Sequence, residues 1–582
     1  MMIFGKHINK YYLKYWYLFL LGIISLVVVD YAQLLIPSLL GDLVEKIELY
    51  GVIEPEYLLQ IVGYMALIAL VMFVGRLLWR VTLLRGSIFV ESDIRKEMFV
   101  HAEQMSQKYF QKNKTGALMA LFTNDLETIK ESISDGTIYA VDALFLGTMA
   151  FIKMAQLNWI LAIISIAPLL VLACCGYIVG KLMEKKYALR QEAYEKLSDF
   201  AQENFSGISV IKAFVKEAHE LRQFTKYNKD NQKINIEYAR YTTMLDVCIE
   251  LLIELSIVLI IIIGGFYVYD DKFTAASLIE FIGLFDAIIW PMIAFAQIIN
   301  IHSRGTTSLK RVSELLNEKV EILDYLPSDV SCISGDIEFK NFSFTYPDSD
   351  VPSLHNISFK VNKGETIGIV GKIGCGKTTL VNVLLRLYNV EEGTIFIDGV
   401  DLMKMPIKLL RDSIGYVPQD NFLFSDKVGN NIRFANKNIS QEETEDAAKF
   451  ADVDENIKNF VDGYNTMVGE RGVTLSGGQK QRISIARAIV KEPSILILDD
   501  SVSAVDVKTE EKILHNIKEK RAGKTTIIVA SRVSTVSHLD KILVLKDGSV
   551  EAFDSPSNLM KISPTYKRMV ELQELEKEVE GE

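Results

Sequence analysis

Long apolar stretches dominate the first half of the chain. Six of them reach the length of about 20 residues that a helix needs to cross a hydrocarbon core. They lie at about 15–41, 57–80, 134–155, 157–182, 243–269 and 275–300. This pattern predicts an all-α transmembrane domain of six helices.

The intervals between the predicted spans differ on the two sides of the membrane. About 50 residues separate spans two and three and about 60 separate spans four and five, and both intervals keep a helical period with mixed charge. The helices are therefore expected to continue beyond the bilayer. Each interval contains a break, one near Asp125 and one near Gly207. Each break is either a turn that docks on a soluble domain and transmits force or an ordinary helical hairpin turn, and spacing alone does not separate the two.

Basic residues near the spans predict the orientation of the chain. Three lysines precede the first span, and the loop from Asp42 to Tyr57 on the opposite side is acidic. The positive-inside rule then places both termini in the cytoplasm, and we expect a multi-pass protein of the plasma (inner) membrane. The five cysteines show no metal or disulfide spacing, which favours a reducing compartment. A net charge of −11 argues against nucleic acid as a partner.

Acidic residues occur inside the predicted spans, where they are costly and face a cavity or a partner by default. They are Asp30, Asp142, Asp246, Glu250, Glu254 and Asp286. Three of them, Asp246, Glu250 and Glu254, recur every four residues and line roughly one helical face. With Asp286 they are candidates for a water-filled cavity that prefers cationic, amphipathic cargo. Alternatively, some lie in the cytoplasmic extension of span five or pair with a partner subunit.

The pattern changes after Leu316, where the apolar spans end. Residues 1–317 are expected to form the transmembrane domain and residues 318–335, which contain Pro and Ser, a linker. Residues 336–582 alternate strands, glycine turns and helices, which is typical of a soluble α/β domain large enough for its own core.

A phosphate-binding loop is the strongest motif of the second half. The segment Gly371-Lys-Ile-Gly-Cys-Gly-Lys-Thr378 follows an apolar strand and precedes a helix, the context that this glycine-rich pattern requires. Its backbone N–H groups and the helix N-terminus attract phosphate oxygens. Lys377 is expected to reach the β- and γ-phosphates, and Thr378 to ligate Mg²⁺. The predicted nucleotide contacts here are Gly371, Gly374, Cys375, Gly376, Lys377, Thr378 and Thr379.

A second buried strand, Ile495 to Leu498, ends in two carboxylates, Asp499 and Asp500. Open α/β sheets bind ligands at the carboxyl ends of their strands. Asp499 is therefore predicted to be the acidic partner of Mg²⁺, at the end of the strand next to the phosphate loop's strand. Together the two motifs predict a P-loop NTPase that binds ATP and Mg²⁺ in residues 336–582.

Between these motifs lies Leu475-Ser-Gly-Gly-Gln479, a glycine-rich helix start and another anion site. With this motif in place, nearly the whole chain resembles the ABC transporter family, specifically a multidrug-exporter-like, type IV half-transporter. In that family two nucleotide domains meet head to tail. The resemblance implies that this segment contacts the ATP bound to a partner's phosphate loop through Ser476, Gly477, Gly478 and Gln479.

The resemblance also implies roles for isolated residues. Tyr346 matches the aromatic that stacks on adenine, and Gln419 the glutamine that senses Mg²⁺ and faces the membrane domain. Glu470 lies in a segment similar to the one that contacts coupling helices. The breaks near Asp125 and Gly207 match those coupling helices.

Two catalytic positions depart from the family pattern. Asp500 stands where the family has the catalytic Glu, and Ser531 where it has a His. The Asp carboxylate is on the order of 1.5 Å short of the attacking water, and such misplacement costs about 10²-fold. A conservative swap in a working homodimer is the alternative, but two changes at one site favour a site that binds ATP and hydrolyses it poorly.

The sequence therefore predicts the impaired-site subunit of a heterodimeric exporter, whose partner half-transporter supplies Glu and His. The expected cargo is a hydrophobic or cationic small molecule. Other hypotheses are a lipid or peptide exporter, and a regulatory subunit or ATP-gated channel without active pumping.

Overall fold

The structure is a computed structural model that describes residues 5–51, 54–324, 328–469, 472, 475–501 and 506–580, without the side chains of 169–182, 184, 296, 507 and 576–580. The chain divides into two compact units. A helical unit comprises Met1–Val100 and Gly116–Asn317, and a sheet unit comprises His101–Thr115 and Glu318–Glu582.

Helices make up the chain as far as residue 317. In chain order they are α1 (Asn9–Lys14), α2 (Trp16–Gln33), α3 (Leu35–Tyr50), α4 (Pro55–Glu103), α5 (Gln107–Lys112), α6 (Thr115–Ala120), α7 (Leu126–Val141), α8 (Gly147–Ser206), α9 (Ile208–Ala213), α10 (Glu217–Tyr269) and α11 (Ala275–Asn317). Two π-helical turns, Leu121–Asp125 and Asp142–Leu146, interrupt the path from α6 to α8. The predicted all-α membrane domain is confirmed.

Five stretches of the described chain are long and apolar enough to cross a membrane. They are Trp16–Tyr50, Pro55–Glu103, Thr115–Pro168, Glu217–Tyr269 and Ala275–Asn317. Predicted span four, 157–182, lies within α8, and most of its side chains fall outside the described residues. Asn158 interrupts α8 with extended backbone angles (φ −162°, ψ 109°). Its Oδ1 accepts hydrogen bonds from the backbone N–H groups of Ile160 and Leu161, at 3.1 and 3.0 Å, and so caps a new helical segment.

Close approaches at glycine hold helices of the helical unit together. A Cβ at Gly22 would lie 2.6 Å from Leu83 of α4, and one at Gly283 would lie 2.8 Å from Pro37 of α3. Without a hydrophobic driving force inside lipid, small residues let helices gain contact area. These glycines therefore set the contacts of α2 with α4 and of α3 with α11.

The sheet unit contains two sheets. Its strands are β1 (Ile337–Phe344), β2 (Leu354–Val361), β3 (Thr366–Gly371), β4 (Ile395–Ile397), β5 (Val400–Asp401), β6 (Ile414–Val417), β7 (Ile495–Asp499), β8 (Thr525–Val529), β9 (Lys541–Lys546) and β10 (Ser549–Asp554). One sheet has the antiparallel order β2-β1-β4-β5, and the other the order β10-β9-β3-β8-β7-β6. From β9 to β6 the second sheet is parallel.

Helices cover this second sheet and connect its strands. They are α12 (Lys377–Leu384), α13 (Ile407–Ser413), α14 (Val428–Ile432), α15 (Gln441–Phe450), α16 (Asp454–Lys458), α17 (Gly477–Ile489), α18 (Val507–Lys520), α19 (Pro556–Ile562) and α20 (Pro564–Glu580). Strands β7 and β8 are buried along their whole length, as a parallel sheet covered on both faces requires.

The strand order corrects one prediction. The strand that ends in Asp499 is not next to the strand of the phosphate loop, because β8 lies between β3 and β7. Both are buried apolar runs, and their hydrophobic pattern does not record which strand is inserted between them. The insertion matters because Ser531, which follows β8, now lies beside Asp500 at the end of β7.

A buried arginine fastens the start of the predicted linker to the sheet unit. Arg386 is 0% exposed, and its guanidinium donates to the carbonyls of Met405 (3.0 Å) and Leu323 (2.8 Å). It also lies 3.3 Å from the carboxylate of Asp324, which accepts from the backbone N–H of Ile407 at 3.0 Å. The segment around residues 323–324 is therefore part of the folded unit.

Replacing Arg386 with alanine is expected to release this segment. The change leaves buried carbonyls without a donor, and breaking such a buried network costs about 3 kcal/mol. Hydrogen exchange of the full-length chain should show faster exchange at residues 321–324 and around Met405. The matched control is Lys404→Ala, because its ion pair with Glu392 is exposed and contributes about 0–1 kcal/mol. Equal protection in the two variants would contradict the role of Arg386.

Candidate nucleotide site

The predicted phosphate loop connects β3 to α12 through left-handed glycines. Gly374 and Gly376 have φ values of 83° and 100°. A Cβ at Gly376 would also lie 2.6 Å from Leu354 and 3.0 Å from the carbonyl oxygen of Ser353. Only glycine satisfies both the conformation and the space at this position. The loop therefore has the curled backbone that the motif predicts.

Lys377 begins α12 and folds back over the loop. Its Nζ donates to the carbonyl oxygens of Gly371 and Lys372, at 2.8 and 3.2 Å. An ammonium group has three N–H donors, so the third is available to an anion held by the loop. Cys375 is 5% exposed and packs inside the turn.

Thr378 and Asp499 form a pair of oxygen donors beside the loop. The Thr378 hydroxyl donates to Asp499 Oδ1 over 3.4 Å, and the other oxygen, Oδ2, is buried without a hydrogen-bond partner among the described residues. Burial raises the pKa of the Asp499 carboxyl above its ordinary value, and the bond from Thr378 partly offsets this. A cation bound beside Oδ2 would stabilise the charged form of Asp499. Hard oxygen donors of this kind fit Mg²⁺.

Asp500 and Ser531 meet at the same sheet edge. The Ser531 hydroxyl donates to Asp500 Oδ2 at 3.1 Å, and the backbone N–H of Asp500 donates to the carbonyl of Val529 at 2.9 Å. Asp500 has a left-handed backbone, with φ of 47°, which Asp tolerates better than most residues. The sequence did not predict this side-chain contact, because it depends on β8 lying between β3 and β7.

The Ser-Gly-Gly-Gln segment forms the first turn of α17. Ser476 Oγ accepts from the backbone N–H of Gln479 at 3.3 Å, and Gln479 Oε1 accepts from the backbone N–H of Ser476 at 3.0 Å. This reciprocal capping box holds the helix start, while Ser476 and Gly477 are exposed to solvent and Gly478 is half-buried. The start of α17 is therefore capped and open to solvent, and its role as an anion site stays a prediction.

Arg487, which the sequence analysis missed, links α17 to the segment after Gln419. Its guanidinium donates to the carbonyl of Phe422 at 2.8 Å and to the carbonyl and side chain of Asn431 at 2.8 and 2.7 Å. Gln419 itself is exposed, two residues beyond β6. The sequence signal for the role of Arg487 is a charged arginine within the apolar, alanine-rich part of α17.

The predicted adenine-stacking residue, Tyr346, is half-buried. Its ring makes edge contacts with Phe344 and Tyr388, with centroids 5.1 and 5.4 Å apart. Its hydroxyl donates to Thr379 Oγ1 at 3.0 Å, which ties the aromatic to the helix of the phosphate loop.

Comparisons with known proteins agree with this geometry. Family models for the "ABC transporter transmembrane region" and for "ABC transporter" match residues 19–292 and 354–503. A probable multidrug resistance ABC transporter ATP-binding/permease protein of Bacillus subtilis is 36% identical over 578 residues, which cover 99% of this chain and 98% of that protein. The chain belongs to the ABC transporter family.

Other relatives of this ABC transporter cover nearly all or most of its length. The multidrug resistance-like ATP-binding protein MdlA of Escherichia coli is 34% identical over 99% of this chain and 97% of that protein. An ATP-dependent lipid A-core flippase of Syntrophus aciditrophicus is 32% identical over 83% of this chain and 80% of that protein. A bacterial Atm1-family ABC exporter with ATP bound shares the fold, with a TM-score of 0.77, 24% identity, and coverage of 97% of this chain and 98% of that one. The protein is an ATP-binding, ATP-hydrolysing exporter with several membrane-spanning helices.

The predicted coupling positions of the transporter differ in their surroundings. Asp125 ends the first π-helical turn, is 5% exposed, and pairs with Arg311 of α11 at 3.1 Å. Gly207 separates α8 from α9, and the apolar side chains of Phe205 and Phe214 on either side of α9 are exposed. Glu470 lies outside the described residues.

The predicted cargo acids of the transporter are all exposed in the single chain. This holds for Asp246, Glu250, Glu254 and Asp286. In contrast, Asp30 and Asp142 are buried.

The sequence did not predict a polar hydrogen-bond network that links three helices of the transporter's helical unit. Ser38 donates to Glu280 at 2.6 Å, and Lys153 donates to Ser38 Oγ and to the carbonyl of Leu34 at 3.2 and 3.1 Å. These residues are far apart in sequence, and each one alone is unremarkable next to a predicted span.

Proposed function

We propose that this transporter is the impaired-site half of a heterodimeric ABC exporter that moves hydrophobic or cationic small molecules out across the plasma membrane. The observation that carries the proposal is the Asp500–Ser531 pair, two short side chains hydrogen-bonded to each other beside the phosphate loop. The family has a Glu and a His at these positions.

Asp500 is a weak candidate for a general base. A base must come within hydrogen-bond reach of the water that it activates. The Asp side chain is one methylene shorter than Glu, on the order of 1.5 Å, and Ser531 already donates to one of its oxygens. The neutral hydroxyl of Ser531 also has neither the reach nor the charge of an imidazolium near the γ-phosphate.

Binding of ATP does not depend on this pair. The glycine loop and Lys377 supply the donors for the phosphates, and Thr378 and Asp499 would hold Mg²⁺. When bound, Mg²⁺ neutralises charge on the β- and γ-phosphates. The site is therefore equipped to hold ATP more than to split it.

The other site of the proposed heterodimer uses the intact start of α17. Ser476 and Gly477 are accessible and rigidly capped, and a helix N-terminus attracts the phosphate of an ATP bound by a partner. The partner supplies the catalytic Glu and His there. In this arrangement hydrolysis at the partner's phosphate loop resets the exporter, and the exposed α9 and the segment of Glu470 take part in coupling.

The relatives and the acids support a cargo of amphipathic cations. Two of the relatives are described as multidrug resistance or multidrug resistance-like proteins. Asp246, Glu250 and Glu254 also line one exposed face of α10. The lipid A-core flippase supports a second candidate, export of a lipid. Concentrative uptake of a cationic dye into inside-out vesicles tests pumping, since an ATP-gated channel cannot exceed the electrochemical gradient.

ATP turnover by the purified full-length chain alone tests the heterodimer. We expect it to be about 10²-fold below that of the chain with its partner, and Asp500→Asn should change it little. The control variant is Asp446→Asn, an exposed acid on α15. Vigorous turnover by the chain alone that Asp500→Asn abolishes, while Asp446→Asn does not, would show a working homodimer instead.

A further inference from the structure

Two aspartates are enclosed within the helical unit, apart from the nucleotide site. Asp30 of α2 is 3% exposed, and Asp142, the first residue of the second π-helical turn, is 5% exposed. Both belong to stretches apolar enough to span a membrane. The turn packs against α2, so the two buried carboxylates lie in the same part of the helical unit.

Each of these carboxylates has an oxygen without a partner. Trp290 of α11 donates its Nε1–H to Asp142 Oδ2 at 2.7 Å. Asp142 Oδ1 and Asp30 Oδ2 are buried and accept no hydrogen bond from the described part of the chain. A buried carboxylate oxygen without a donor is costly, and two buried carboxylates that both carry charge in the same part of the fold repel each other.

The π-helical turn holds Asp142 in this position. A turn of this kind inserts one residue into a helix and is frequent at functional sites. The residue that follows it, Gly147, is in close contact with α11, since a Cβ there would lie 3.0 Å from Pro291. The Trp290 bond and this contact together fix the turn against α11.

No cation compensates the pair within the described residues. Titratable or charged groups on the neighbouring helices include Tyr31, Asp42, Arg76, Arg80, Asp135, Tyr139, Lys153, Glu280 and Asp286. None of these forms an ion pair with Asp30 or Asp142 in the described structure. The partly buried Lys153 donates its hydrogen bonds to the carbonyl of Leu34 and to the hydroxyl of Ser38 instead.

We propose that Asp30 and Asp142 together bind one proton and form a proton-binding site in the membrane half of the transporter. A proton on one carboxylate leaves the enclosed pair with a single negative charge, which removes the repulsion between two buried charges. A proton needs no cavity of its own, unlike a larger ligand. A metal ion is a poorer fit, because the described residues contain no cluster of three His, Cys, Asp or Glu side chains able to hold one.

The site links proton occupancy to helix packing. Asp30 lies on α2 and Asp142 on the turn between α7 and α8. Any movement that separates these elements removes the repulsion that makes the shared proton favourable. By linkage, proton binding favours the packed arrangement of the two elements. This inference is independent of the proposed heterodimer and of its cargo.

Infrared difference spectroscopy of the full-length chain in lipid nanodiscs tests the site directly. At neutral pH the wild type should show the C=O stretch of one protonated, buried carboxylic acid that is lost in alkaline buffer. Asp30→Asn combined with Asp142→Asn should abolish this band. Asp135→Asn, on α7 just before the turn and half-exposed, is the control and should keep the band.

Trp290→Phe extends the test without removing a carboxylate. Loss of its N–H bond to Asp142 should shift the frequency of the band and leave its intensity unchanged, so the test does not depend on the double variant alone. The proposal is overturned if the wild type lacks a titratable carboxylic acid band at neutral pH, if the band survives in the double variant, or if Trp290→Phe leaves its frequency unchanged.

Discussion

Changing Asp500 to glutamate together with Ser531 to histidine is expected to raise ATP hydrolysis at this chain's own site by about 10²-fold in the presence of the partner. Glutamate restores the missing methylene, and histidine replaces a hydroxyl that now donates to the carboxylate at 3.1 Å. The measurement is steady-state turnover with a partner whose own catalytic Glu is changed to Gln, so that hydrolysis reports this site only.

The single variants are the controls for this gain. Asp500→Glu alone should gain part of the rate, and Ser531→Ala, which removes the hydrogen bond from Ser531 to Asp500, should gain little because the carboxylate remains short. If the double variant binds ATP as the wild type does but hydrolyses it no faster, the defect lies in the partner's Ser-Gly-Gly-Gln segment, and the assignment to Asp500 and Ser531 is wrong.

Changing Gly477 to aspartate is expected to lower the turnover of the wild-type heterodimer by about 10²- to 10³-fold, the size of effect seen when one preorganised donor to a developing charge is lost. The acidic group would occupy the anion site at the start of α17 and repel the γ-phosphate of the partner's ATP. A Cβ at Gly477 meets nothing within 4 Å, and its backbone is not left-handed. The fold of this chain should therefore tolerate the change.

Gly477→Ala separates charge from size. It should retain much more activity than the aspartate variant, and both should unfold at the wild-type temperature. If Gly477→Asp keeps its turnover, the start of α17 does not contact the ATP that the partner's phosphate loop binds and hydrolyses. Because Asp500→Asn should have little effect in the same assay, the two variants together measure how unequal the two sites are.

Local patterns were sufficient to predict much of the fold. The apolar strand predicted before the phosphate loop is β3, and the predicted break near Gly207 falls between α8 and α9. These features depend on neighbouring residues: apolar runs, glycines and a phosphate-loop motif whose spacing specifies its own turn.

Contacts between distant segments were not predictable in the same way. The acids at 246, 250 and 254 share one face of α10 and are exposed, but periodicity did not show that the enclosed acids are Asp30 and Asp142. Which face of a helix is buried depends on its neighbours, and a π-helical turn shifts that face by one residue. The sequence therefore identified Asp30 and Asp142 as acids within spans, but it did not show that they lie close to each other.

By itself, the sequence determined that this protein is a membrane-spanning helical domain followed by a P-loop ATPase, because span length and motif spacing are local properties of the chain. It also identified Asp500 and Ser531 as departures from the family's catalytic Glu and His. Only the tertiary structure decided that these two side chains bond to each other, since the inserted strand β8 brings residue 531 to the end of β7. The same holds for Asp30, Asp142 and Trp290, which three separate helical elements bring together within the membrane half.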